Sequence, residues 1–357
     1  MKLLEIIPSL QSAGAERLVV ELCNELCHRD GVDVTLLQLY PFNEKDILRS
    51  FVDKSIPIHT LNKSKGFSIT CFFKLFHIIK KGQYDAVHTH TSATRYIIIS
   101  AFLYRHPKYC STIHSEAKRE AGDFVSTIIK KFLYKFNLSI PVTISEQSNL
   151  SFQKFYHLNA PIIYNGIKPY TYSKRLIETK QTDVLRLVHI ARTHPIKNQP
   201  LLYRCIIRLI QEGYNVQLYH YGRFYQKEVN DELYSLKNDN IFIAGETKEP
   251  QKVLLEADAL CLSSKMEGMP MIIIEAFSVG CPVISTPVGG CVNMIDDGVN
   301  GILSQSILEN DYYLALKRFV IMTSEERALM RKHAYQSFEK YNINETGNIY
   351  LDLFGNL

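Results

Sequence analysis

The stretch SSKMEGMPMIIIEAFSVGCPV, residues 263–283, places a carboxylate at each end of a greasy segment: Glu267 before a Gly-Met-Pro corner and Glu275 after three isoleucines. The preceding ALCLSS (259–264) reads as a buried strand and SKMEG as a loop. Pro270 suits the first position of a helix with its interior over residues 271–279. Backbone N–H groups at such a helix start are unpaired and carry positive partial charge, so the corner is suited to a phosphate or to sugar hydroxyls. Glu267 then stands at the mouth. Glu275 lies one and a half turns inside, where a carboxylate accepts hydrogen bonds from both hydroxyls of a ribose. Taken singly, Glu267 also reads as a first-turn acid facing the helix dipole and Glu275 as an exposed helix residue. Their company, Gly268, Pro270 and the later GCPVISTPVGG (280–290), points to a site.

Outward from this stretch, short apolar runs alternate with helical patterns. KLLEIIP (2–8) precedes a helix from about Ala15 to Arg29. VDVTLLQL (32–39), YDAVHTH (84–90), CSTIHS (110–115) and VTISE (142–146) continue as strands. The pattern restarts at LRLVHIA (185–191) and runs through VQLYHYG (216–222), NIFIAG (240–245), ALCLSS and PVIST (282–286). That alternation predicts βα units on parallel sheets, in which ligands bind beyond the carboxyl ends of the strands. A chain of 357 residues exceeds the ~250–300 at which one core stops growing. We therefore expect two domains, 1–170 and 185–335, joined by a polar linker over 171–184. The amphipathic segments of 336–357 are expected to cross back to the first domain.

Composition excludes several classes. With 46% hydrophobic and 22% charged residues the chain is neither fibrous nor disordered. The eight cysteines form no C-x-x-C pair or disulfide framework, which implies reduced thiols and a cytoplasmic protein. Cys23 and Cys27 read as a buried pair on one helix face. MKLLEIIPSL lacks the features of a secretory signal, and no apolar run approaches the ~20 residues that span a bilayer. Residues 1–168 hold 21 Lys and Arg against 14 Asp and Glu, a balance of +7, so with a total of +5 the remainder carries −2. No zinc-finger spacing or RNP-like aromatic motif accompanies the charge, and nucleic acid is not expected as a partner. Part of the excess lies in KREAGDFVSTIIKKFLYKF (118–136). There Phe124, Ile128, Phe132 and Phe136 fall near helical spacing beside Lys130, Lys131 and Lys135. Two readings stay open: a helix lying on an anionic membrane surface, or a core-facing helix with a solvated basic side.

The segment 263–303 resembles the retaining glycosyltransferases of family 4. The resemblance rests on Glu267-x7-Glu275, EGMP, EAFSVGCPVIST, VGG and DDGVNGIL (296–303). It implies the GT-B fold: α/β, with two Rossmann-like doubly wound domains facing across a cleft. HIARTHPIKNQPLL (189–202) looks like the family's strand-end Arg followed by Lys, which implies that Arg192 and Lys197 bind the donor diphosphate. Cations preorganised where negative charge develops lower the barrier to its departure. Gly222 in YHYGRF and Gly245 in IAGET match strand-end glycines near the nucleotide. SAGAER (12–17) resembles the family's Gly-Gly-Ala-Glu-Arg loop with Ala13 in place of the first glycine, and Gly14 lets backbone approach the phosphate. YDAVHTH and STIHS (111–115) correspond to histidine-bearing segments on the acceptor side: His114 is expected near the transferring sugar, with His88 and His90 as a wall.

The resemblance thus implies a retaining hexosyltransferase that passes a hexose or N-acetylhexosamine from a UDP- or GDP-sugar to a hydroxyl of a glycan or lipid-linked acceptor, in cell-surface polysaccharide synthesis. Glu267, His114, Arg192 and Lys197 would be the catalytic set. Gly14, Gly222, Gly245, Gly268, Met269, Pro270, Met271 and Glu275 would complete the donor site. No Asp-x-Asp occurs, and although H-x-H with a distant His permits zinc, the resemblance accounts for these histidines without metal. No cofactor is expected. The protein would be cytoplasmic and peripheral at the inner face of the plasma membrane. A non-catalytic nucleotide-sugar-binding subunit and a sugar-nucleotide epimerase on the same fold are the alternatives.

Overall fold

A computed structural model of the protein describes residues 1–11, 14–170 and 184–355. Ser12 and Ala13 of the SAGAER stretch, and residues 171–183 of the expected linker, lie outside the described residues. The chain divides into two compact units: Met1–Lys168 with the chain from Tyr341 onward, and Pro169–Lys340.

The first unit is built on β1 (Lys2–Ile7), β2 (Asp33–Gln38), β3 (Ile58–Thr60), β4 (Ala86–His90), β5 (Lys108–Ile113) and β6 (Ile140–Thr143). These pair in parallel in the order β3-β2-β1-β4-β5-β6. The second carries β7 (Leu185–Ile190), β8 (Val216–Tyr221), β9 (Ile241–Gly245), β10 (Ala259–Leu262), β11 (Val283–Ser285) and β12 (Gly301–Leu303), ordered β12-β11-β10-β7-β8-β9. Counted within each unit, both orders are the Rossmann order, which reverses between β1 and β4 and again between β7 and β10. The sequence reading lacks β3 and β12, which are three residues each and too short to show a period.

Strands covered on both faces read as unbroken apolar runs. In β1, Leu4 and Ile6 join one core with Leu37, Leu75 and Val87. Leu3 and Ile7 join another with Leu18, Leu22, Tyr350 and Phe354. The second face is covered by the helix Gly14–Leu26 and by the C-terminal helix Ile343–Gly355, which buries Ile343, Thr346, Tyr350 and Phe354 against the first unit. The preceding helix, Ser324–Gln336, stays with the second unit: Met330 enters its core and the Arg331 guanidinium donates to the Ala257 carbonyl at 2.7 Å.

Two local expectations are corrected. The helix after the Gly-Met-Pro corner is Met271–Phe277, ending short of Val279, and Pro270 is its extended N-cap rather than its first residue. Segment 118–136 is two helices, Ala117–Ala121 and Phe124–Lys135. Gly122 at φ +83° breaks the chain between them, and the Asp123 carboxylate accepts from the Ser126 amide at 2.9 Å. The second helix buries Ser126, Lys130, Leu133 and Tyr134. Its Phe124 is 79% exposed, with Ile128, Phe132 and Phe136 also outward. The helix thus meets the core through Leu133 and Tyr134 and keeps Lys131 and Lys135 in solvent, but the expected apolar stripe faces outward and Lys130 points inward, donating to the Glu120 carbonyl at 2.7 Å.

Candidate functional site

In the second unit the polar residues cluster where the strand order reverses. Beyond the end of β7 the chain passes through exposed Arg192, whose carbonyl accepts from the Gln199 side chain at 2.9 Å, and turns at Lys197 into the helix Gln199–Gln211. Beyond the end of β10 come Ser263, Ser264 and Glu267. The two loops are stitched together: Ser263 Oγ donates to the Lys197 carbonyl at 3.0 Å and the Lys265 amide to the Ile196 carbonyl at 2.7 Å. Lys197 Nζ reaches Glu267 Oε1 at 2.6 Å, and Ser264 Oγ donates to the same oxygen at 2.5 Å. The Lys197 side chain is 27% exposed and that of Glu267 8%, so this charge-assisted pair sits at the rim and not in the core. One ammonium N–H serves Glu267, which leaves two for another anion. Arg192 has no acidic partner among the described residues.

Glu275 is 3% exposed, which excludes its reading as a surface residue of the helix. Carboxylates are almost never buried this far without a polar role. Gly268, exposed, and Met269 form the corner ahead of Pro270 and Met271. The corner is held from behind by the Gly290 amide, which donates to the Gly268 carbonyl at 2.8 Å. A Cβ on Gly290 would lie 2.1 Å from that oxygen. Gly222 is equally constrained: φ is +145° and a Cβ would come within 2.0 Å of the Ala191 carbonyl oxygen. Its amide donates to the Gly245 carbonyl at 2.7 Å, so the ends of β8 and β9 meet beside the β7 loop.

In the first unit Gly14 opens the helix after β1. His88 and His90 lie on β4 and His114 just past β5, and the residue that joins them, Glu5 on β1, was absent from the sequence reading. Glu5 Oε1 meets His88 Nδ1 at 3.0 Å and Oε2 meets His90 Nε2 at 2.7 Å, while His90 Nδ1 meets His114 Nε2 at 2.9 Å. Glu5, His88 and His90 are wholly buried. Burial raises the Glu5 carboxyl, but the charge and hydrogen bond of His88, with those of His90, hold it below the carboxylate range. Burial likewise lowers His88, and the Glu5 charge overrides it to hold the imidazolium. His90 is pushed down to about 4 by burial and by the neighbouring His88 charge, and His114 falls well below its ordinary range for the same reasons. Glu5, His88 and His90 bring three ligand-type atoms within 4.8 Å of one another. Their spacings, 2.7 and 3.0 Å between carboxylate and ring nitrogen, are those of hydrogen bonds. A charged group inside an apolar strand is the signal that was available: a glutamate in KLLEIIP has to find buried partners.

A cavity of about 710 Å³ opens at the ends of β1 and β2, lined by Tyr40, Phe42, Lys45, Lys63 and Lys65 among others. None of these lysines has a carboxylate partner among the described residues. Lys63 is buried against the rings of Tyr40 and Tyr96 and donates to the Ser64 carbonyl at 2.8 Å.

Residues 12–170 match the family profile described as Glycosyltransferase Family 4, and residues 185–320 the one described as Glycosyl transferases group 1. The chain is 23% identical over 326 residues to the UDP-Gal:alpha-D-GlcNAc-diphosphoundecaprenol alpha-1,3-galactosyltransferase of Escherichia coli, covering 84% of this chain and 82% of that one. It is 24% identical over 364 residues to the GalNAc-alpha-(1->4)-GalNAc-alpha-(1->3)-diNAcBac-PP-undecaprenol alpha-1,4-N-acetyl-D-galactosaminyltransferase of Campylobacter jejuni, covering 99% and 98%. Among solved structures, HepE of Anabaena in complex with UDP and glucose matches with a TM-score of 0.78 at 19% identity over 100% of both chains. That likeness concerns the fold: two Rossmann-like units of the GT-B type.

Proposed function

The chain belongs to glycosyltransferase family 4, and from that premise we propose that it is a retaining, metal-independent hexosyltransferase. It moves a hexose or N-acetylhexosamine from a UDP- or GDP-sugar to a hydroxyl of a lipid-linked or glycan acceptor in cell-surface polysaccharide synthesis. The observation that carries this reading is the 2.6 Å Lys197–Glu267 pair at the strand-order reversal, with Arg192, which has no acidic partner among the described residues, on the adjoining loop. Arg192, Lys197 and the backbone of 268–271 stabilise the departing diphosphate as its charge develops. Glu267 holds sugar hydroxyls, and Glu275 grips the ribose. Gly222 and Gly245 let backbone approach the nucleotide, and Gly14, at the helix start after β1, lets backbone approach a phosphate. His114 serves the acceptor side, and the wholly buried His88 and His90 stand behind it. No side chain is assigned as a covalent nucleophile; the departing phosphate takes the acceptor's proton, so the new bond forms on the face the leaving group vacates.

The relatives' names specify acceptors on diphosphoundecaprenol, and the lysine-lined cavity of the first unit supports an acceptor that carries phosphate. The outward Phe124, Ile128, Phe132 and Phe136, beside exposed Lys118, Arg119, Lys131 and Lys135, support seating on an anionic membrane at its cytoplasmic face. No helix among the described residues is long and apolar enough to cross a membrane.

The test is a panel of UDP- and GDP-sugars assayed for transfer and for slow donor hydrolysis. One donor should be turned over, and Arg192→Ala and Lys197→Ala should each lower kcat by about 10²–10³-fold in a folded protein. Full activity in both variants would overturn the assignment. Binding without any turnover would favour the subunit reading, and an altered sugar with no acceptor the epimerase.

A further inference from the structure

The first unit contains a continuous buried line of polar contacts. From the Tyr350 hydroxyl it passes to Thr112 Oγ1, His88, Glu5, His90 and His114 at 2.7, 2.7, 3.0, 2.7 and 2.9 Å in turn. We propose that Glu5 is a positioning residue: through His90 it fixes His114 as the Nε2–H tautomer and leaves His114 Nδ1 as an acceptor for a hydroxyl of the sugar or the acceptor. The identity of that hydroxyl rests on the transferase reading; the tautomer does not.

The donor sense follows from one end of the line. An ionised carboxylate only accepts, so Glu5 Oε2 requires the proton of His90 on Nε2. Neutral His90 then has a bare Nδ1, and the 2.9 Å contact closes only if His114 supplies Nε2–H. Neutral His114 in turn has a bare Nδ1, which is buried and has no hydrogen-bond partner among the described residues. A lone pair held away from water without a donor is unfavourable, and a ligand hydroxyl is the group that would satisfy it. A single added proton reverses everything: were His90 a cation, its Nδ1–H would force His114 to accept on Nε2 and donate from Nδ1. Two features resist that proton. His88 bonds on both ring nitrogens, to Glu5 and to Thr112, and its ring centroid lies 4.1 Å from that of His90, so a charge on His88 opposes one on His90. Burial of His90 opposes it again. Tyr350 ties the far end to the C-terminal helix, so the residue that anchors the line comes from the last element of the chain.

The experiment labels histidine with ¹⁵N in the full chain and reads each ring by two-bond ¹H–¹⁵N correlation at pH 7, with the His114 signals assigned by their loss in His114→Asn. Protonated Nε2 with bare Nδ1 is expected; Nδ1–H, or a proton on both nitrogens, overturns the proposal. Two variants separate positioning from packing. In His90→Gln the carboxamide can donate to Glu5 and accept from His114, so the His114 tautomer and most of kcat should survive. In His90→Phe that tautomer preference should vanish and kcat fall about 10-fold with donor KM little changed. If both variants leave tautomer and kcat alone, the line is structural only. One equivalent of tightly held divalent metal in the purified protein, lost in His90→Phe, would also overturn it. Should no donor be turned over even by the unaltered protein, the transferase reading fails while the tautomer measurement still decides this one.

Discussion

The two units share a sheet order and hold their histidines in similar seclusion, yet among the described residues only the first unit pairs its buried histidines with a carboxylate. In the second, His189 Nδ1 donates to the Cys261 carbonyl (2.8 Å) and His220 pairs with the Tyr203 hydroxyl (2.9 Å); neither meets a carboxylate among the described residues. Both are buried. In the first, Glu5 lies between His88 and His90 and turns one of them into an imidazolium. The second unit sets its Lys197–Glu267 pair on loops past the strand ends instead. The difference teaches that position on the strand decides what a charge does. Inside the sheet it organises neighbours; beyond its end it is available to a ligand.

That contrast breaks most readily on stability. Glu5→Met leaves His88 buried without its counter-ion, and removing one partner of a buried pair costs about 3–5 kcal/mol. Lys197→Met acts on a rim pair and should cost about 1 kcal/mol or less. Chemical denaturation followed through hydrogen exchange of β4 and β10 amides measures each unit separately. Equal losses would erase the distinction drawn between core and rim.

The rim was legible in the sequence and the interior was not. Glu267 lies just past the apolar run of β10, a strand-end position that a linear pattern displays, whereas Arg192 and Lys197 were expected from the family resemblance. Glu5 interrupts such a run, where alternation fails to distinguish a buried carboxylate from an exposed one; its partners are more than eighty positions away on β4 and were brought adjacent by the register Glu5↔His88. The helix Phe124–Lys135 fails differently. Its periodicity defines an apolar stripe but not which way the stripe faces, and the inward turn of Lys130 follows from a carbonyl, that of Glu120, which composition does not show. The C-terminal helix Ile343–Gly355 supplies Tyr350 to the line of contacts, again a product of tertiary placement and not of local pattern.

The pH profile sharpens the comparison. His90, His114, His189 and His220 are all held below their ordinary range, chiefly by burial, His189 to about 3 and His220 to about 4. The unfolded chain takes up these protons near pH 6.5 and the folded chain does not, so stability falls as pH drops from about 6.5 toward 4. The slope approaches about 1.4 kcal/mol per pH unit for each such histidine, and both units share this limb. His88 has the opposite sign. Its folded pKa is raised, so its contribution is complete below about 6.5 and is lost as pH rises toward about 10. Buried thiols in both units, such as Cys23 and Cys261, are pushed up by burial and add a decline of their own once unfolded thiols ionise at about 8.5, so the His88 contribution is the one read below that range. Tm measured from pH 6.5 to 8 should decline more steeply in the unaltered protein than in His88→Gln; an equal decline in that variant would assign the limb elsewhere.

The smallest expected effect concerns the surface. Residues 1–168 carry +7 and the remainder −2, and the four outward apolar residues of the Phe124–Lys135 helix stand among the cations of the positive half. Exposing Phe124 and its neighbours to water is unfavourable by itself, at about 25 cal/mol per Å² of apolar surface that a membrane interface would cover. Each nearby Lys or Arg adds about 1 kcal/mol of attraction to an anionic leaflet. Lys131→Ala with Lys135→Ala should thus weaken sedimentation with phosphatidylglycerol vesicles by about 2 kcal/mol, about 30-fold, and raised salt should mimic the loss. Lys248→Ala with Lys252→Ala, equally exposed but in the second unit, should change nothing. If both pairs weaken binding alike, attraction is a matter of net charge and the helix has no special part in it. If only the first pair does, and Phe124→Ser weakens binding further at high salt where the cations are screened, then apolar contact and charge act on the same helix and the first unit is the one that meets the membrane.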